Sequence, residues 1–436
     1  MARRSRSSTL AVYLNGRRVG PLSRNAAGAI DFQYAPEWLA WEHSLPISLS
    51  LPLREDRYAG AAVNAVFDNL LPDNDDVRRR VAARLGAEGM DPYSLLAVVG
   101  RDCVGALQFL PDDEAPGPVG RIDAEPVDEA EIAAIISDLA TAPLGLHAED
   151  DFRISIAGMQ EKTALLWWEG GWHRPLGTTP TTHIFKPQIG RLANGIDLSN
   201  SVENEWFCLQ LLSELGLPVA KSEMATFGNR RVLIVERFDR QLVSDGRLLR
   251  RPQEDMCQAL SITSVLKYEN DGGPGVVDIM KLLASSDTPD VDQRRFFEAV
   301  VAFWLLGATD GHAKNFSVFL SPGGRFKATP LYDVLSAQPS LDDRQIETKQ
   351  MRLAMAAGDR RRYRIDEISP RHFLQTAAKA GFAERLGREV FEGLRTRGEG
   401  AVERLLAGLP NDFPAAVSDG IARGFLTRLR MLDGAG

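Results

Sequence analysis

Two aspartates and one asparagine in the last third of the chain have the chemistry and spacing that phosphoryl transfer requires. Asn315 follows Asp310 by five residues within TDGHAKN, and Asp333 comes shortly afterwards within LYD. In a kinase, one aspartate accepts the proton of the attacking hydroxyl, while an asparagine and a second aspartate hold Mg²⁺ against the phosphates of ATP. The interval from Asp310 to Asn315 matches that of the protein-kinase catalytic loop. The three residues therefore predict a base, Asp310, and two magnesium ligands, Asn315 and Asp333.

A predicted hairpin would bring these three side chains close together. Two strands are expected on either side of the turn SPGG, with Leu320 paired to Arg325. This register sets Asn315 roughly opposite Pro330, and Asp333 lies just beyond the same open end. Taken singly, an aspartate–glycine pair also suits a simple turn, and an asparagine suits a strand cap. Their coupling across one hairpin favours a metal site, because Mg²⁺ prefers hard oxygen ligands.

A lysine and a glutamate upstream could complete the phosphate site. Lys186 ends a predicted strand at 182–186, where a phosphate-binding lysine belongs. The predicted helix at 199–215 offers Glu203 and Glu205 as ion-pair partners for this lysine. We prefer Glu205, which precedes an apolar pair, although each of these charged side chains could instead be solvated.

Two further segments have the positions expected of nucleotide contacts. The strand predicted at 231–236 ends in VERFD, where backbone groups could bind adenine and Asp239 could bind the ribose. The alternative is an ordinary charged strand exit. The segment 155–162, SIAGMQEK, stands where a phosphate loop belongs, but its single glycine also fits a plain hairpin loop. The polar loops at 252–256 and 268–275 could cap helices or shape a substrate mouth.

Composition restricts the classes of protein that the chain can belong to. It has 436 residues, 44% apolar and 25% charged, which is ordinary for a globular protein of two or three domains. No apolar run is long enough to span a membrane, and no apolar stretch follows the basic N-terminus to make a secretory signal. Three widely separated cysteines indicate a reducing cytoplasm rather than disulfides or a zinc site. The net charge of −8 argues against a surface that binds nucleic acid throughout.

The order of predicted elements divides the chain into five segments. A hairpin is expected around Asn15–Gly16, an extended segment at 44–53, a helix at 61–84 broken near 72–74, and a strand at 152–156. The residues at 296–306 are apolar on almost every face and predict a buried helix. The segments are a basic tail at 1–8, a β-rich subdomain at 9–110, a linker and helix at 111–150, an ATP-binding lobe at 151–251, and a helical lobe at 252–436.

Eight motifs in order, over about residues 10 to 430, resemble one family. They are FDNLLPDN at 67–74, FRISIAGMQEKTAL at 152–165, TPTTHIFK at 179–186, SVENEWFC at 201–208, VERFDR at 235–240, PQEDMCQ at 252–258, KYENDGGPG at 267–275 and GATDGHAKNFSVF at 307–319. The chain resembles the HipA family of serine/threonine kinase toxins from bacterial toxin–antitoxin systems.

The resemblance implies an α+β, protein-kinase-like fold and a role for each site residue. The fold would have a small N-terminal β-rich subdomain, a mixed ATP-binding lobe and a helical C-terminal lobe. Ser155 would be an autophosphorylated serine whose modification ejects the adjacent loop and stops the kinase. The other implied roles are base for Asp310, Mg²⁺ ligands for Asn315 and Asp333, phosphate contacts for Lys186 and His312, adenine contacts for the backbone of Glu236 and Phe238, a ribose contact for Asp239, and phosphate-loop contacts for Ala157, Gly158, Gln160 and Lys162.

The resemblance also implies a substrate and partners. The substrate would be a serine on an aminoacyl-tRNA synthetase, typically glutamyl-tRNA synthetase, so that translation stops and growth arrest and drug tolerance follow. The partner would be a HipB-like helix-turn-helix antitoxin, through which this acidic chain would reach operator DNA. Two alternatives stay open at this stage: a small-molecule or lipid kinase, and a catalytically silent co-repressor.

Overall fold

The computed structural model describes residues 8–146, 153–158 and 160–435. Residues 1–7 of the expected basic tail, and Phe152 at the start of an expected strand, lie outside the described residues. None of the described helices combines the length and apolar character that a bilayer crossing needs.

The N-terminal subdomain is a five-stranded antiparallel sheet covered by helices. Its strand order is β4-β3-β2-β1-β5, and the predicted hairpin turns at Asn15 and Gly16, both with positive φ. The Asn74 side chain caps α3 by accepting from two backbone N–H groups, and Gly86 ends it in the left-handed conformation. The elements are β1 (Ser8–Leu14), β2 (Arg17–Arg24), β3 (Ile30–Phe32), α1 (Pro36–Leu39), β4 (Tyr58–Ala59), α2 (Ala61–Asp68), α3 (Asp75–Leu85), α4 (Pro92–Val99) and β5 (Leu107–Pro111).

The second unit is a six-stranded antiparallel sheet with one long helix packed against it. The strand order is β12-β13-β9-β7-β8-β6, and α6 packs on β12 and β13. The elements are β6 (Ala124–Pro126), α5 (Glu129–Asp138), β7 (Thr163–Trp168), β8 (Gly171–Pro175), β9 (His183–Pro187), β10 (Gly190–Arg191), β11 (Asp197–Leu198), α6 (Ser201–Glu214), β12 (Ser222–Phe227), β13 (Arg230–Glu236), β14 (Arg240–Leu242) and β15 (Leu248–Arg250).

The third unit consists mostly of helices packed around α9 (Pro289–Leu306). The last eleven residues of this helix are all buried, as the apolar run predicts. The three-stranded sheet β16-β17-β18 lies beside the predicted catalytic loop. The elements are β16 (Gln253–Asp255), α7 (Met256–Ala259), α8 (Val276–Leu283), α9 (Pro289–Leu306), β17 (Ser317–Ser321), β18 (Arg325–Ala328), α10 (Gln338–Asp342), β19 (Arg352–Ala357), β20 (Arg362–Arg364), α11 (Pro370–Lys379), α12 (Glu384–Ala407) and α13 (Ala415–Arg430).

A buried group of charges joins the N-terminal subdomain to the second unit. The Asp102 carboxylate accepts from Arg237, Arg240 and Arg250 at 2.8–3.3 Å, and Asp239 pairs with the first two of these arginines. We call these five residues the Asp102 cluster. Because every member is buried, the two units share a charged core rather than a loose surface contact.

The expected extended segment at 44–53 is wrong, because a turn interrupts it: the Leu51 N–H donates to the Ser48 carbonyl at 3.0 Å. Two of its backbone N–H groups bind side chains and so cannot pair with a neighbouring strand: Ile47 N–H donates to the Tyr34 hydroxyl, and Leu49 N–H donates to the Glu254 carboxylate. The segment is therefore held by buried polar side chains.

The expected strand at 152–156 is also wrong for its described part. Ile154 makes only an isolated parallel bridge with Asp102, so the residues dock against the subdomain without joining a ladder.

The predicted catalytic hairpin is present, but its register differs by one residue. Ser321 pairs with Arg325, and Leu320 pairs with Phe326. Gly323 and Gly324 both adopt positive φ, which lets the turn close in three residues instead of four.

Candidate active site

A cavity of about 780 Å³ lies between the two kinase-like units, with the N-terminal subdomain contributing part of its wall. Every described residue given a site role from the sequence lines it except Ser155, and the alternative ion-pair partner Glu203 does not line it. Polar residues lie towards the catalytic loop, while Ile184, Ala220, Val235 and Phe238 supply apolar wall. A cavity with one apolar end and one charged end suits a nucleotide.

The catalytic loop follows the end of α9 at Gly307, which has φ 71°. The Asn315 amide nitrogen donates to the backbone carbonyls of Asp310, at 2.8 Å, and Asp333, at 3.3 Å. One side chain thus holds together the two segments that carry the predicted base and the second carboxylate. With its nitrogen so engaged, Asn315 keeps its side-chain oxygen as the acceptor.

A buried lysine lies between two carboxylates. Lys186 Nζ on β9 is 2.7 Å from Glu205 Oε1 on α6 and 2.7 Å from Asp333 Oδ1. Of the two glutamates considered from the sequence, the preferred one, Glu205, is in contact with Lys186. Glu203 instead accepts from Gln188. This arrangement ties the sheet, the helix and the catalytic segment together at one ammonium group.

Lys186, Glu205 and Asp333 form a triad, and their charges determine how each member ionises. Burial alone would raise the pKa of Asp333, but the ammonium groups of Lys186 and Lys162 outweigh burial and hold it well below its usual range. Burial would lower the pKa of Lys186, yet the two carboxylates raise it. For Glu205 burial prevails over the attraction of Lys186, and its pKa is raised.

The oxygen groups of Asn315 and Asp333 fit a magnesium ion that substrate phosphates help to bind. Among the described residues no cluster of three or more His, Cys, Asp or Glu side chains could hold a metal alone. Mg²⁺ is usually held by one or two carboxylates and completes its shell with phosphate oxygens and water. The donor set therefore suits a metal that arrives with its nucleotide.

The predicted phosphate loop lies at the charged end of the cavity. Lys162 Nζ donates to the Ala157 carbonyl at 2.7 Å, and Gln160 donates to the Pro187 carbonyl at 2.8 Å. Gly158 has φ 111°, which favours glycine. Burial, with the nearby charge of Lys186, lowers the pKa of Lys162 to about 8. Met159 lies outside the described residues.

Ser155 is fully buried beneath the N-terminal subdomain. Its hydroxyl donates to the Leu70 carbonyl at 2.7 Å, and its backbone N–H donates to the Asp102 carbonyl. The loop is therefore docked, and the serine hydroxyl is not available to a phosphate donor in this conformation.

The predicted hinge offers a backbone donor at the apolar end. No acceptor for the Phe238 N–H is found within the described ranges, whereas Glu236 N–H donates to the Lys221 carbonyl. The Phe238 ring packs 5.7 Å from both Phe319 and Tyr332.

Asp239 is committed to the Asp102 cluster. Its carboxylate accepts from Arg237 on both oxygens and from the Gly105 N–H at 2.7 Å. The predicted ribose contact stays a prediction, and it would compete with these bonds.

Sequence reasoning missed four polar residues around the catalytic loop. The Tyr268 hydroxyl donates to Asp310 Oδ1 at 2.6 Å, and its ring packs edge-on against His312, a buried histidine whose Nδ1 lacks a partner in the described part of the chain. Burial lowers the pKa of His312. The other three are Asp73, Lys267 and Lys314, which form a buried ion cluster. The available signals were their positions in the quoted motifs: Lys314 in the catalytic motif, Lys267 and Tyr268 at the start of 267–275, and Asp73 in 67–74.

Comparison with known proteins gives a consistent result along the chain. A family model described as the HipA-like C-terminal domain matches residues 154–401, and one described as the HipA N-terminal domain matches residues 10–110. A Sinorhizobium fredii protein that carries the provisional name of a kinase, Y4mE, is 36% identical over 356 residues, covering 80% of this chain and 83% of that protein. The Shewanella oneidensis serine/threonine-protein kinase toxin HipA is 28% identical over 368 residues, covering 81% of this chain and 80% of the toxin.

One solved structure matches almost the whole chain. It is the complex of the Shewanella oneidensis MR-1 toxin–antitoxin system, containing HipA, HipB and its operator DNA. The TM-score is 0.81 at 25% identity, with 98% of each chain covered. This likeness confirms the predicted fold class.

Proposed function

The chain belongs to the HipA family of serine/threonine kinase toxins, and from that premise we propose that it transfers the γ-phosphate of ATP to a serine of a protein substrate. The observation that supports this most strongly is the meeting of Lys186, Glu205 and Asp333 with Asp310 and Asn315 at one end of a nucleotide-sized cavity. A kinase needs each of these groups, and a scaffold that only binds DNA needs none of them.

In the proposed reaction the serine oxygen attacks the γ-phosphorus, and the bond from that phosphorus to the bridging oxygen of ADP breaks. Asp310 accepts the serine proton. Its carboxylate is more than half exposed, so a hydroxyl from another protein can approach it. A serine hydroxyl would take the place of the Tyr268 hydroxyl at this carboxylate.

The remaining residues bind and orient the nucleotide. Lys186 donates to phosphate oxygens while Glu205 and Asp333 fix the position of its ammonium group. Lys162 and the loop at Ala157–Gly158 contact the phosphates, and His312 lies beside them. Asn315 and Asp333 would hold Mg²⁺, which supplies positive charge to the phosphate oxygens when bound. Phe238 N–H and the backbone of Glu236 bind the adenine.

We infer that Ser155 is a site of self-inactivation. The proposal is supported by its burial, because a phosphate dianion cannot be placed where the hydroxyl now donates to the Leu70 carbonyl. Modification therefore requires the loop to leave its docked position, and the added charge would oppose its return. A loop held outside the cavity would no longer contact the phosphates.

For the substrate and partners we propose a serine of an aminoacyl-tRNA synthetase, such as glutamyl-tRNA synthetase, and a HipB-like antitoxin. Phosphorylation of the synthetase would stop translation and lead to growth arrest and persistence. The antitoxin proposal is supported by the match to a complex of HipA with HipB and operator DNA. The net charge of −8 supports contact with DNA mainly through that partner.

The test is mass spectrometry of the purified chain after incubation with Mg-ATP, beside Asp310→Gln. We expect one phosphate on Ser155 in the parent and none in the variant. A panel of acceptors then separates the alternatives: transfer to a sugar or lipid but to no protein would refute the protein-kinase assignment. If neither the parent chain nor Asp310→Gln transfers phosphate in any assay, the enzyme assignment itself is wrong.

A further inference from the structure

The segment 67–74, FDNLLPDN, has no part in the chemistry described so far, yet it contacts the catalytic loop. The Asp73 carboxylate accepts from Lys314 Nζ at 2.7 Å on one oxygen and from Lys267 Nζ at 2.8 Å on the other. All three side chains are at most 7% exposed. One carboxylate of the N-terminal subdomain thus pairs with two buried ammonium groups of the helical lobe.

The same segment also holds the phosphate loop in its docked position. Asp73 N–H donates to the Gly158 carbonyl at 3.2 Å, and the Leu70 carbonyl accepts from the Ser155 hydroxyl. Asp73 therefore contacts the phosphate loop through its backbone and the catalytic loop through its side chain. In the described part of the chain, no other residue is hydrogen-bonded to both the phosphate loop and the catalytic loop.

The two lysines connect Asp73 to the reacting groups. Lys314 precedes the metal ligand Asn315, and its carbonyl accepts from the hydroxyl of Tyr332, the residue before Asp333. The Lys267 carbonyl accepts from the backbone of Ala313. Lys314 Nζ also donates to the Asn69 carbonyl at 3.2 Å and lies 4.0 Å from Asp255, but Asp73 makes the shortest contact of both ammonium groups. Buried charge that loses its closest counter-charge is costly, so loss of the Asp73 carboxylate would displace these lysines and the loop that follows them.

We propose that Asp73 is a positioning residue that sets the phosphate loop and the catalytic loop in one geometry. It acts through Gly158, Lys267 and Lys314, so the subdomain that carries it contributes to the reaction without contacting the reacting atoms. This inference rests on the proposed kinase function and extends it to a residue outside the kinase-like units.

The first test is the kinetics of Asp73→Asn in the full chain. Misplaced catalytic groups lower the rate of the chemical step by roughly 10- to 100-fold, and we expect this loss in kcat. The KM for ATP should change by less than about threefold, because Lys186 and the hinge keep their contacts. Because a smaller folded fraction would also lower the apparent kcat at unchanged KM, kcat is calculated per folded molecule, with the folded fraction taken from circular dichroism. A purely structural role would leave that corrected kcat at the parental value.

The matched control is Asp68→Asn. Asp68 lies five residues earlier in the same segment, and one of its oxygens pairs with Arg78 at 2.7 Å. Its other oxygen accepts from the Ser264 N–H at 3.2 Å and from the Ser264 hydroxyl, so Asp68 also joins the subdomain to the helical lobe. This variant removes a comparable carboxylate but no contact with either loop. We expect it to lose stability while keeping kcat within about twofold of the parent, as a structural ion pair should.

Hydrogen–deuterium exchange gives a readout that is independent of activity. Asp73→Asn should raise exchange in peptides covering 153–158 and 310–316, and Asp68→Asn should raise it in neither. If the parent transfers no phosphate, the proposed function fails, and exchange alone still decides the role of Asp73.

Should Asp73→Asn not fold, Asp73→Asn with Lys267→Met keeps the summed charge of the three side chains. It is compared with Lys267→Met alone, and the same loss of kcat and gain of exchange are expected. The inference is overturned if the Asp73 variant keeps parental kcat and exchange, or if Asp68→Asn loses as much kcat as Asp73→Asn.

Discussion

Replacing Glu205 with glutamine tests whether the buried triad serves activity rather than stability. Lys186 Nζ and Glu205 Oε1 are 2.7 Å apart and both side chains are buried. At an effective dielectric constant near 20, two unit charges at this distance attract each other by roughly 6 kcal/mol. Removing each ion from water costs several kcal/mol, which offsets much of that attraction.

The raised pKa of Glu205 indicates which effect prevails. Burial disfavours its charged form more than Lys186 favours it, so the ionised carboxylate gains little in the folded state. Glu205→Gln has nearly the same shape and carries no charge, and Lys186 still has Asp333 as its partner. We therefore expect the free energy of unfolding to change by no more than about 1 kcal/mol.

Activity should respond much more strongly. With one of its two carboxylates gone, the ammonium group of Lys186 is no longer fixed between sheet and helix. We expect kcat/KM for ATP to fall by about 10- to 100-fold, equivalent to roughly 1.4–2.7 kcal/mol of transition-state stabilisation.

The assay measures initial rates of phosphate transfer against ATP concentration, with urea unfolding of the same preparations. Glu203→Gln is the control, since that glutamate lies on the same helix and contacts Gln188 and Arg231 instead of Lys186. Parental activity in Glu205→Gln, or a loss of stability above about 3 kcal/mol, would refute this account of the triad.

Three other substitutions have defined expected outcomes. Asp333→Asn should lower phosphate transfer by about a thousandfold or more while the near-ultraviolet circular dichroism stays native, and an active, folded variant would contradict the magnesium assignment. Ser155→Ala should remove the slow loss of activity during incubation with Mg-ATP but keep transfer to other proteins; it loses one buried hydrogen bond, about 1–2 kcal/mol by urea unfolding. Although burial alone would raise it, the pKa of Asp73 is lowered to about 2 by Lys314 and Lys267, so this carboxylate stabilises the fold above its ordinary pKa and ceases to do so as the pH falls towards 2. Asp73→Asn should therefore cost about 2 kcal/mol near neutral pH, and the difference from the parent should shrink between about pH 4 and pH 2; a constant difference would exclude this linkage.

Local sequence signals were sufficient wherever a few neighbouring residues determine the structure. Asn15–Gly16 predicts its hairpin because both positions need positive φ, and the apolar run at 296–306 predicts a buried helix because no polar face is available. The catalytic hairpin was placed correctly for the same reason. Its register was wrong by one residue, since two adjacent glycines permit a shorter turn than the sequence pattern suggests.

The sequence could not predict contacts between residues far apart in the chain. Asp73 looks like part of a helix break, and only the fold brings it to Lys314, 241 positions away. The strand expected at 152–156 failed for a related reason, because its alternating apolar residues fit a strand but dock singly against Asp102 and Leu70. The arginine partners of Asp239 lie beside it in sequence, but Asp102, which completes the buried cluster, does not. The ribose contact of Asp239 stays a prediction.

The Asp102 cluster has a consequence for how such a chain can be inherited. Its carboxylate at position 102 belongs to one unit, and the three arginines that surround it belong to another. Were the N-terminal subdomain deleted, the three arginines would be left with one carboxylate, that of Asp239, among them. Were it exchanged for an unrelated module, the replacement would have to supply an acid at the same buried point.

A gene fragment encoding only residues 151–436 should therefore yield insoluble protein, and recombination at the junction should be selected against. The two parts are expected to persist or disappear together over evolutionary time, as one heritable unit rather than as exchangeable modules.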